Sequence, residues 1–251
     1  MSTIKEYRNS GGRYSGLAAT VTMMGLIACG GTAHAAALLD FGIVAPTNSA
    51  LLPGPAASIS YAGGVAALMG SNIEVDNVAG LNVPLHNNAV STCVLCSVNF
   101  TSGAFDSYDA GSQTWTFSGG GAITIVGGVD FSDNTSIADI APGTTLLTGS
   151  FTQASVTKLP TGFFDFRIAA GAFDDSKDAV LLSYYGLPDT AYEGGLNLSF
   201  AATPTAGNGF TSTAVYSGDI VNTPVPLPAA VWLLGGAVLS LLPFRRRAAN
   251  V

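Results

Sequence analysis

The chain has 251 residues, of which 48% are hydrophobic and only 10% are charged, and its formal net charge is −7. Soluble domains usually carry about 25% charged residues, so this composition argues against the surface of an ordinary cytoplasmic enzyme. It also excludes intrinsic disorder, because disordered chains combine low hydrophobicity with high charge.

The charges are unevenly distributed along the chain. Three basic residues precede residue 14, three follow residue 244 and only three lie between, where fifteen of the sixteen acidic residues are found. The middle of the chain therefore carries a net charge of −12. This acidic body argues against nucleic-acid binding, which depends on Lys and Arg contacts to phosphate.

Residues 1–35 have the order of a secretory signal peptide. Basic residues come first, an uncharged stretch covers 16–33, and small residues follow. Cleavage of the A-x-A type fits after Ala35 or Ala37, which implies signal peptidase and the secretion machinery as partners. Two alternatives remain open: a lipoprotein signal at Cys29, and an uncleaved anchor, for which the apolar run is short compared with the ~20 residues that span a bilayer.

Residues 36–222 are predicted to form one secreted, mainly β domain, a β-sandwich or jelly-roll-like fold with one short helix. Runs rich in β-forming residues alternate with turn-forming glycine, asparagine and aspartate. The runs are 58–61, 72–78, 97–100, 114–117, 122–126, 145–153, 163–168, 196–201 and 214–220. The glycine-rich link 118–121 between two alternating runs predicts a β-hairpin.

One segment, from Asp174 to Pro188, breaks the β pattern. It begins with acidic residues that could cap a helix, places Leu181, Tyr184 and Tyr185 on one side, and ends with Gly and Pro. We predict a helix of two to three turns that packs across an edge or end of the sheets.

Residues 223–251 contain a candidate transmembrane segment. The sixteen residues 229–244 are uncharged and would span about 24 Å as a helix, at ~1.5 Å per residue. Trp232 and the terminal arginines can extend this length to both interfaces of a ~30 Å hydrocarbon core. The positive-inside rule keeps the arginines in the cytoplasm and puts the acidic body outside.

The tail resembles the PEP-CTERM class of bacterial sorting signals, in its VPLPA-CTERM variant. The resemblance depends on a proline motif, an apolar helix and a basic cluster in that order, namely Val225, Pro226, Leu227, Pro228 and Ala229, then 229–244, then Arg245, Arg246 and Arg247. It implies that a membrane-embedded exosortase cuts the tail, in a Gram-negative bacterium that makes exopolysaccharide. Leu227 stands where the commoner variant has glutamate. A plain single-pass anchor with an incidental proline linker is the alternative.

Cys93 and Cys96 are the most specific local signal in the body. An oxidising envelope favours a disulfide between them. On a regular strand, residues three apart lie about 10 Å apart at ~3.3 Å per residue, beyond the ~7 Å limit for bridging. A disulfide therefore requires a turn at 93–96. Redox catalysis and metal binding, the latter with His86 as an added ligand, are less favoured.

The remaining polar and aromatic residues predict no catalytic, metal or cofactor site. His86 has turn-like flanks and no accompanying nucleophile motif, which favours a solvated loop histidine. Seven acidic residues could bind calcium but match no calcium loop, so turn and cap roles are favoured: Asp106, Asp109, Asp130, Asp133, Asp174, Asp175 and Asp178. Five aromatics could stack on sugars, although core packing is favoured: Tyr108, Trp115, Tyr184, Tyr185 and Tyr192.

These features lead to a functional hypothesis. We expect a non-enzymatic protein that crosses the inner membrane, is held briefly by one membrane pass, and ends at the cell surface or outside as a structural or adhesive component of the exopolysaccharide matrix. One alternative is a carbohydrate-binding module, which predicts a row of exposed aromatics. A second is a secreted hydrolase, which predicts a cleft that gathers carboxylates or His86.

Overall fold

The computed structural model describes residues 36–43, 52, 54–132, 138–159 and 165–224. The predicted signal peptide lies outside these residues. So do Asp133, the sorting motif from Val225, the predicted transmembrane segment 229–244 and the arginine cluster.

The described residues form strands and one short α-helix, which confirms the mainly β prediction. The strands are β1 (Leu39–Ile43), β2 (Ser58–Tyr61), β3 (Ala67–Gly80), β4 (Val90–Asp109), β5 (Thr114–Phe117), β6 (Gly120–Asp130), β7 (Ile140–Phe151), β8 (Ala154–Lys158), β9 (Asp165–Lys177), β10 (Tyr192–Pro204) and β11 (Phe210–Pro224). The α-helix is α1 (Ala179–Tyr185), and a short 3₁₀ turn (Ala206–Asn208) joins β10 to β11.

These strands pair antiparallel in one sheet that closes on itself. Along the sheet, β4, β6, β7, β9, β10 and β11 are successive neighbours. β3 pairs with β4 on one side and with β1 and β2 on the other, and both of these short strands also pair with β11. Such a large antiparallel sheet is consistent with a β-sandwich. The described strands follow each other as a meander, without the Greek-key order of a jelly roll.

At three places two strands lie one after the other along the same neighbour: β1 and β2 along β3, β5 and β6 along β4, and β7 and β8 along β9. The second of these places corrects the predicted hairpin. β5 and β6 do not pair with each other, because both lie along β4, which they meet at 105–109 and 92–101. The link 118–121 runs beside β4 as well, where Ser118 N donates to the Ala104 carbonyl at 2.9 Å. The hairpin is instead formed by β4 and β5. It turns at Asp109, whose carboxylate accepts hydrogen bonds from Gly111 N and Ser112 Oγ.

Alternate residues of the strands point inward and form the core. In β10, for example, residues 192, 194, 196, 198, 200 and 202 are buried while their neighbours are more exposed, which is the period of two expected for a strand. The largest fully buried side chains include several aromatics: Tyr61, Tyr185, Tyr192, Phe41, Phe117, Phe173, Phe200 and Phe210.

The helix α1 packs at one end of the sheet, which we call the α1 end. Asp178 caps it, accepting hydrogen bonds from Val180 N at 2.9 Å and Leu181 N at 3.0 Å, and Gly186 ends it with a φ of 70°. The buried Tyr185 donates its hydroxyl to the Val78 carbonyl at 3.0 Å. A helix in this segment is therefore confirmed. Of the acidic cap candidates, Asp178 caps the helix, whereas Asp174 and Asp175 belong to β9.

Candidate functional site

A group of three polar side chains lies inside the sheet at the α1 end. We call Asp175, Lys177 and Asn222 the buried triad. In β9, residues 173, 175 and 177 are buried, whereas residues 174 and 176 are exposed. The strand period of two therefore directs both Asp175 and Lys177 into the interior. Asn222 is fully buried near the end of β11.

The carboxylate of Asp175 joins the other two members of the triad. Lys177 Nζ donates to Asp175 Oδ1, and Asn222 Nδ2 donates to Asp175 Oδ2. The side chains of Asp175 and Lys177 have no exposed surface. A single carboxyl group thus stands between a buried primary amine and a buried primary amide.

A glycine on the intervening strand lets these side chains meet. Gly194 on β10 lies opposite Asn222 on β11 and opposite Phe173 on β9. A Cβ atom at Gly194 would lie 2.8 Å from Asn222 Nδ2 and 2.1 Å from the Cζ atom of Phe173. Both distances are too short for any larger residue. Side chains from β9 and β11 can therefore approach each other across β10.

Burial of the triad disfavours charge, although one aromatic contact acts in the opposite direction. The ring centroid of Tyr192 lies 3.9 Å from Lys177 Nζ, a cation–π contact that favours the ammonium form. Burial raises the pKa of Asp175 and lowers the pKa of Lys177, and in each case it outweighs the opposing effect of the partner charge. Asn222 Oδ1 is buried and has no hydrogen-bond partner among the described residues. The site thus combines a weakly basic amine, a weakly acidic carboxyl group and an amide whose carbonyl oxygen has no partner in the described part of the chain.

Cys93 and Cys96 lie on a β-bulge of β4. Leu95 between them has a φ of 54°, and the β4–β6 register shifts between Val94 and Ser97. The bulge supplies the local turn that a disulfide would require. The structure shows two free thiols, with Cys96 Sγ donating to the Gly128 carbonyl at 3.1 Å. The disulfide therefore stays a prediction.

The protonation state of the Cys93 thiol determines whether it could act in redox chemistry. A hydrogen bond with Cys96 and burial raise the pKa of Cys93 well above its usual value. A reactive cysteine needs the opposite shift, because the thiolate is the nucleophile. A cavity of 390 Å³ beside the bulge is lined by Leu52, residues 74–76 and residues 92–96.

The aromatic residues considered for sugar stacking do not form an exposed row. Trp115, Tyr185 and Tyr192 are buried, which confirms core packing for these three, and Tyr108 and Tyr184 are partly buried. At the end of the sheet opposite α1, Tyr108 and Trp115 line a pocket of 180 Å³ with a centroid separation of 4.7 Å. The indole of Trp115 donates to the Asn208 carbonyl at 2.9 Å.

His86 and three of the acidic residues occupy the structural positions that the sequence favoured, whereas the turn and cap roles are wrong for Asp106, Asp174 and Asp175, which lie within strands. His86 is exposed in the loop between β3 and β4 and stacks on Tyr184, with ring centroids 4.0 Å apart. Asp109 organises a turn, Asp178 caps α1, and Asp130 accepts hydrogen bonds from Ser132. Within the described residues, no three His, Cys, Asp or Glu side chains are grouped so as to hold a metal ion.

Sequence reasoning missed the buried triad. Asp175 was considered as a helix cap or calcium ligand, while Lys177 and Asn222 were not considered at all. The available signal was the alternation in residues 173–177, where an apolar residue, an acid and a lysine share one face of a strand. That signal becomes visible only when the segment is assigned to a strand.

None of the helices within the described residues has the length and apolar character needed to cross a bilayer. Comparison of the chain with protein-family models, with curated proteins and with solved structures finds no match.

Proposed function

We propose that this protein is an exported, non-enzymatic domain, sorted by an exosortase through residues 223–251 and used as a structural or adhesive component of the exopolysaccharide matrix. The observation that carries this proposal is the pair of terminal segments that flank one β domain: a signal-peptide pattern before it, and a proline motif, apolar segment and arginine cluster after it. Both segments predict the same topology, with the acidic body outside the cytoplasm.

The form of the domain is compatible with an extracellular structural role. Among the described strands, each has neighbours on both sides. A sheet without unpaired edges resists edge-to-edge aggregation. We take this closed sheet to be a β-sandwich around the apolar core, and 229–244 to be a transmembrane helix that holds the chain until it is processed.

The geometry offers less support for the alternative of carbohydrate binding. The pocket that contains Tyr108 and Trp115 has a volume of 180 Å³, whereas small-molecule sites typically measure about 300–1,000 Å³. The face of Trp115 is largely covered, since the residue is only 7% exposed. The predicted stacking platform therefore lacks the exposed aromatic surface that it requires.

Transplanting the tail onto another protein tests the sorting proposal. Residues 223–251 would be fused to an unrelated secreted reporter in the native host and in a strain that lacks its exosortase. We expect the reporter to lose the tail and leave the inner membrane only in the parent strain. A fusion carrying Pro226→Ala and Pro228→Ala should stay uncut and membrane-bound.

The matched fusion Thr223→Ala changes a residue of the transplanted segment outside the proline motif, and it should be processed like the parent tail. Equal retention of the uncut reporter in both strains would contradict the proposal. Processing of the double proline variant at the parent rate would contradict the role of the proline motif.

A further inference from the structure

We infer that Lys177 and Asn222 become joined by a side-chain amide bond in the folded protein, with Asp175 as the acid–base catalyst of the reaction. The observation behind this is the contact of one buried carboxyl group with both a lysine amine and an asparagine amide. The inference concerns the body of the protein alone, and it does not depend on the sorting proposal.

The three reacting groups are held close together and away from water. Lys177 and Asp175 occupy successive inward positions of β9, and Asn222 reaches the same carboxylate from β11 across Gly194. Holding two reactants in a fixed geometry removes most of the entropic barrier to a bimolecular reaction. A closed apolar interior also keeps water from competing with the amine.

Burial shifts both titratable groups of the triad towards the protonation states that the reaction needs. A lysine is a nucleophile only as the neutral amine, and burial lowers the pKa of Lys177. A carboxyl group can act as an acid only when it is protonated, and burial raises the pKa of Asp175. Moving one proton from Lys177 to Asp175 within their hydrogen bond produces both forms without any external base.

The chemical step is an amide exchange. The lone pair of Lys177 Nζ attacks Cγ of Asn222, the Nζ–Cγ bond forms, and the carbonyl electron pair moves onto Oδ1. Asp175 takes a proton from Nζ and gives one to Nδ2. The carbonyl reforms, the Cγ–Nδ2 bond breaks and ammonia leaves, so the sum is amine plus primary amide giving secondary amide plus ammonia. No oxidant, reductant or co-reactant takes part.

Geometry favours Asn222 over Asp175 as the group that Lys177 attacks. An amide between Lys177 and Asp175 would close a small ring within one strand, at side chains that neighbour each other on the same face. A bond to Asn222 instead links β9 to β11 and leaves Asp175 free to act as catalyst. Asp175 Oδ2 accepts a hydrogen bond from Asn222 Nδ2, which places the carboxyl group to give its proton to that nitrogen as the Cγ–Nδ2 bond breaks.

The consequence is a covalent connection across the sheet. The bond would close a loop of the chain from Lys177 to Asn222, which contains α1, β10 and most of β11. Closing a loop reduces the entropy of the unfolded chain, as a disulfide does. Unlike a disulfide, an amide survives a reducing environment.

Mass spectrometry of the purified full chain tests the inference. Once the termini of the purified species are known, its intact mass should fall short of the sequence mass by one ammonia molecule. Trypsin should fail to cut after Lys177, and a second protease that cuts between residues 178 and 221 should release a branched peptide containing Lys177 and Asn222. An unmodified mass, with normal tryptic cleavage after Lys177, would overturn the inference.

Three variants separate the roles of the residues. Asn222→Ala and Lys177→Arg should each restore the sequence mass of the variant. Asp175→Asn retains both reacting groups and the side-chain shape, and it should show at least a tenfold lower yield of the branched peptide. Loss of water instead of ammonia from the parent protein would identify Asp175 as the electrophile and would contradict the assignment of Asn222.

Discussion

The link between β5 and β6 provides a direct test of the fold. Gly121 has a φ of 71°, and a Cβ atom at this position would lie 2.0 Å from the Thr101 carbonyl oxygen and 2.6 Å from that of Ser102. If residues 118–121 run along β4, as the structure shows, Gly121→Ala must push the two strands apart. If they formed an exposed hairpin turn, the added methyl group would meet only solvent.

Gly64 is the matched control for this substitution. It has a φ of 64° and no atom within 4 Å of the position that a Cβ would occupy. Both variants incur the backbone cost of placing alanine in the left-handed region, about 1–2 kcal/mol. Gly121→Ala adds overpacking of about 1–3 kcal/mol and weakens the adjoining ladder hydrogen bonds, about 1 kcal/mol each.

The expected loss in the free energy of unfolding is therefore about 3–5 kcal/mol for Gly121→Ala and about 1–2 kcal/mol for Gly64→Ala. Urea unfolding followed by tryptophan fluorescence measures both values. Losses that agree within about 0.5 kcal/mol, the size of an ordinary surface effect, would refute the placement of residues 118–121 beside β4.

Three further predictions concern the triad, the helix cap and the cysteines. Lys177→Met leaves the buried carboxyl group of Asp175 without its partner amine, which costs about 3–5 kcal/mol. The double variant Asp175→Leu/Lys177→Met removes that carboxyl group but leaves the Asn222 amide without its acceptor, at about 1–3 kcal/mol. The single variant should therefore be less stable at pH 7 than the double variant by about 1–3 kcal/mol. The folded-state pKa of Asp175 is raised above the unfolded value of 3.8, so protonation of this group favours folding. The stability deficit of the single variant should therefore shrink as the pH falls towards 3.8 and grow as the pH rises. Urea midpoints at several pH values measure this deficit, and a deficit independent of pH would contradict the burial of the Asp175 carboxyl group. Asp178→Ala should lower the free energy of unfolding by about 1 kcal/mol, because it removes the cap of α1. Asp174→Ala, on the exposed face of β9, should change that free energy by less than about 0.5 kcal/mol. Equal losses in urea unfolding would place the beginning of the helix elsewhere. In protein exported by the native host, we expect Cys93 and Cys96 to react with a thiol-alkylating reagent only after reduction, and full labelling without reductant would exclude the disulfide.

The parts of the fold that could be predicted from sequence are those where the signal is local. β2 and β5 were predicted with the bounds that the structure shows, because each alternates large apolar with small polar residues. The cap and stop residues around α1 also act within a few positions, so the existence of the helix could be inferred.

The longer strands extend beyond the residues whose own sequence pattern predicts a strand. β4 continues through Ser102, Gly103 and Ala104, which have weak β propensity, because hydrogen bonds from β3 and from residue 118 hold this part of the strand. β11 extends to Pro224, so the first residues assigned to the tail belong to the sheet. In both cases the partner strand, and not the residue's own propensity, sets the boundary.

The triad could not be found from sequence because it depends on register. Asp175 and Asn222 are 47 residues apart in the chain and meet only when β9, β10 and β11 pair in the observed alignment. A shift of any of these strands by one residue would turn its inward side chains outward. Gly194, which leaves room for the contact, is informative only once that register is known.

The proposed removal of both terminal segments from the mature protein can be measured as the intact mass of the protein recovered from the surface or medium of its native host. We expect a species that begins after Ala35 or Ala37 and lacks the arginine cluster at residues 245–247. A mature species that still ends at Val251 would contradict it.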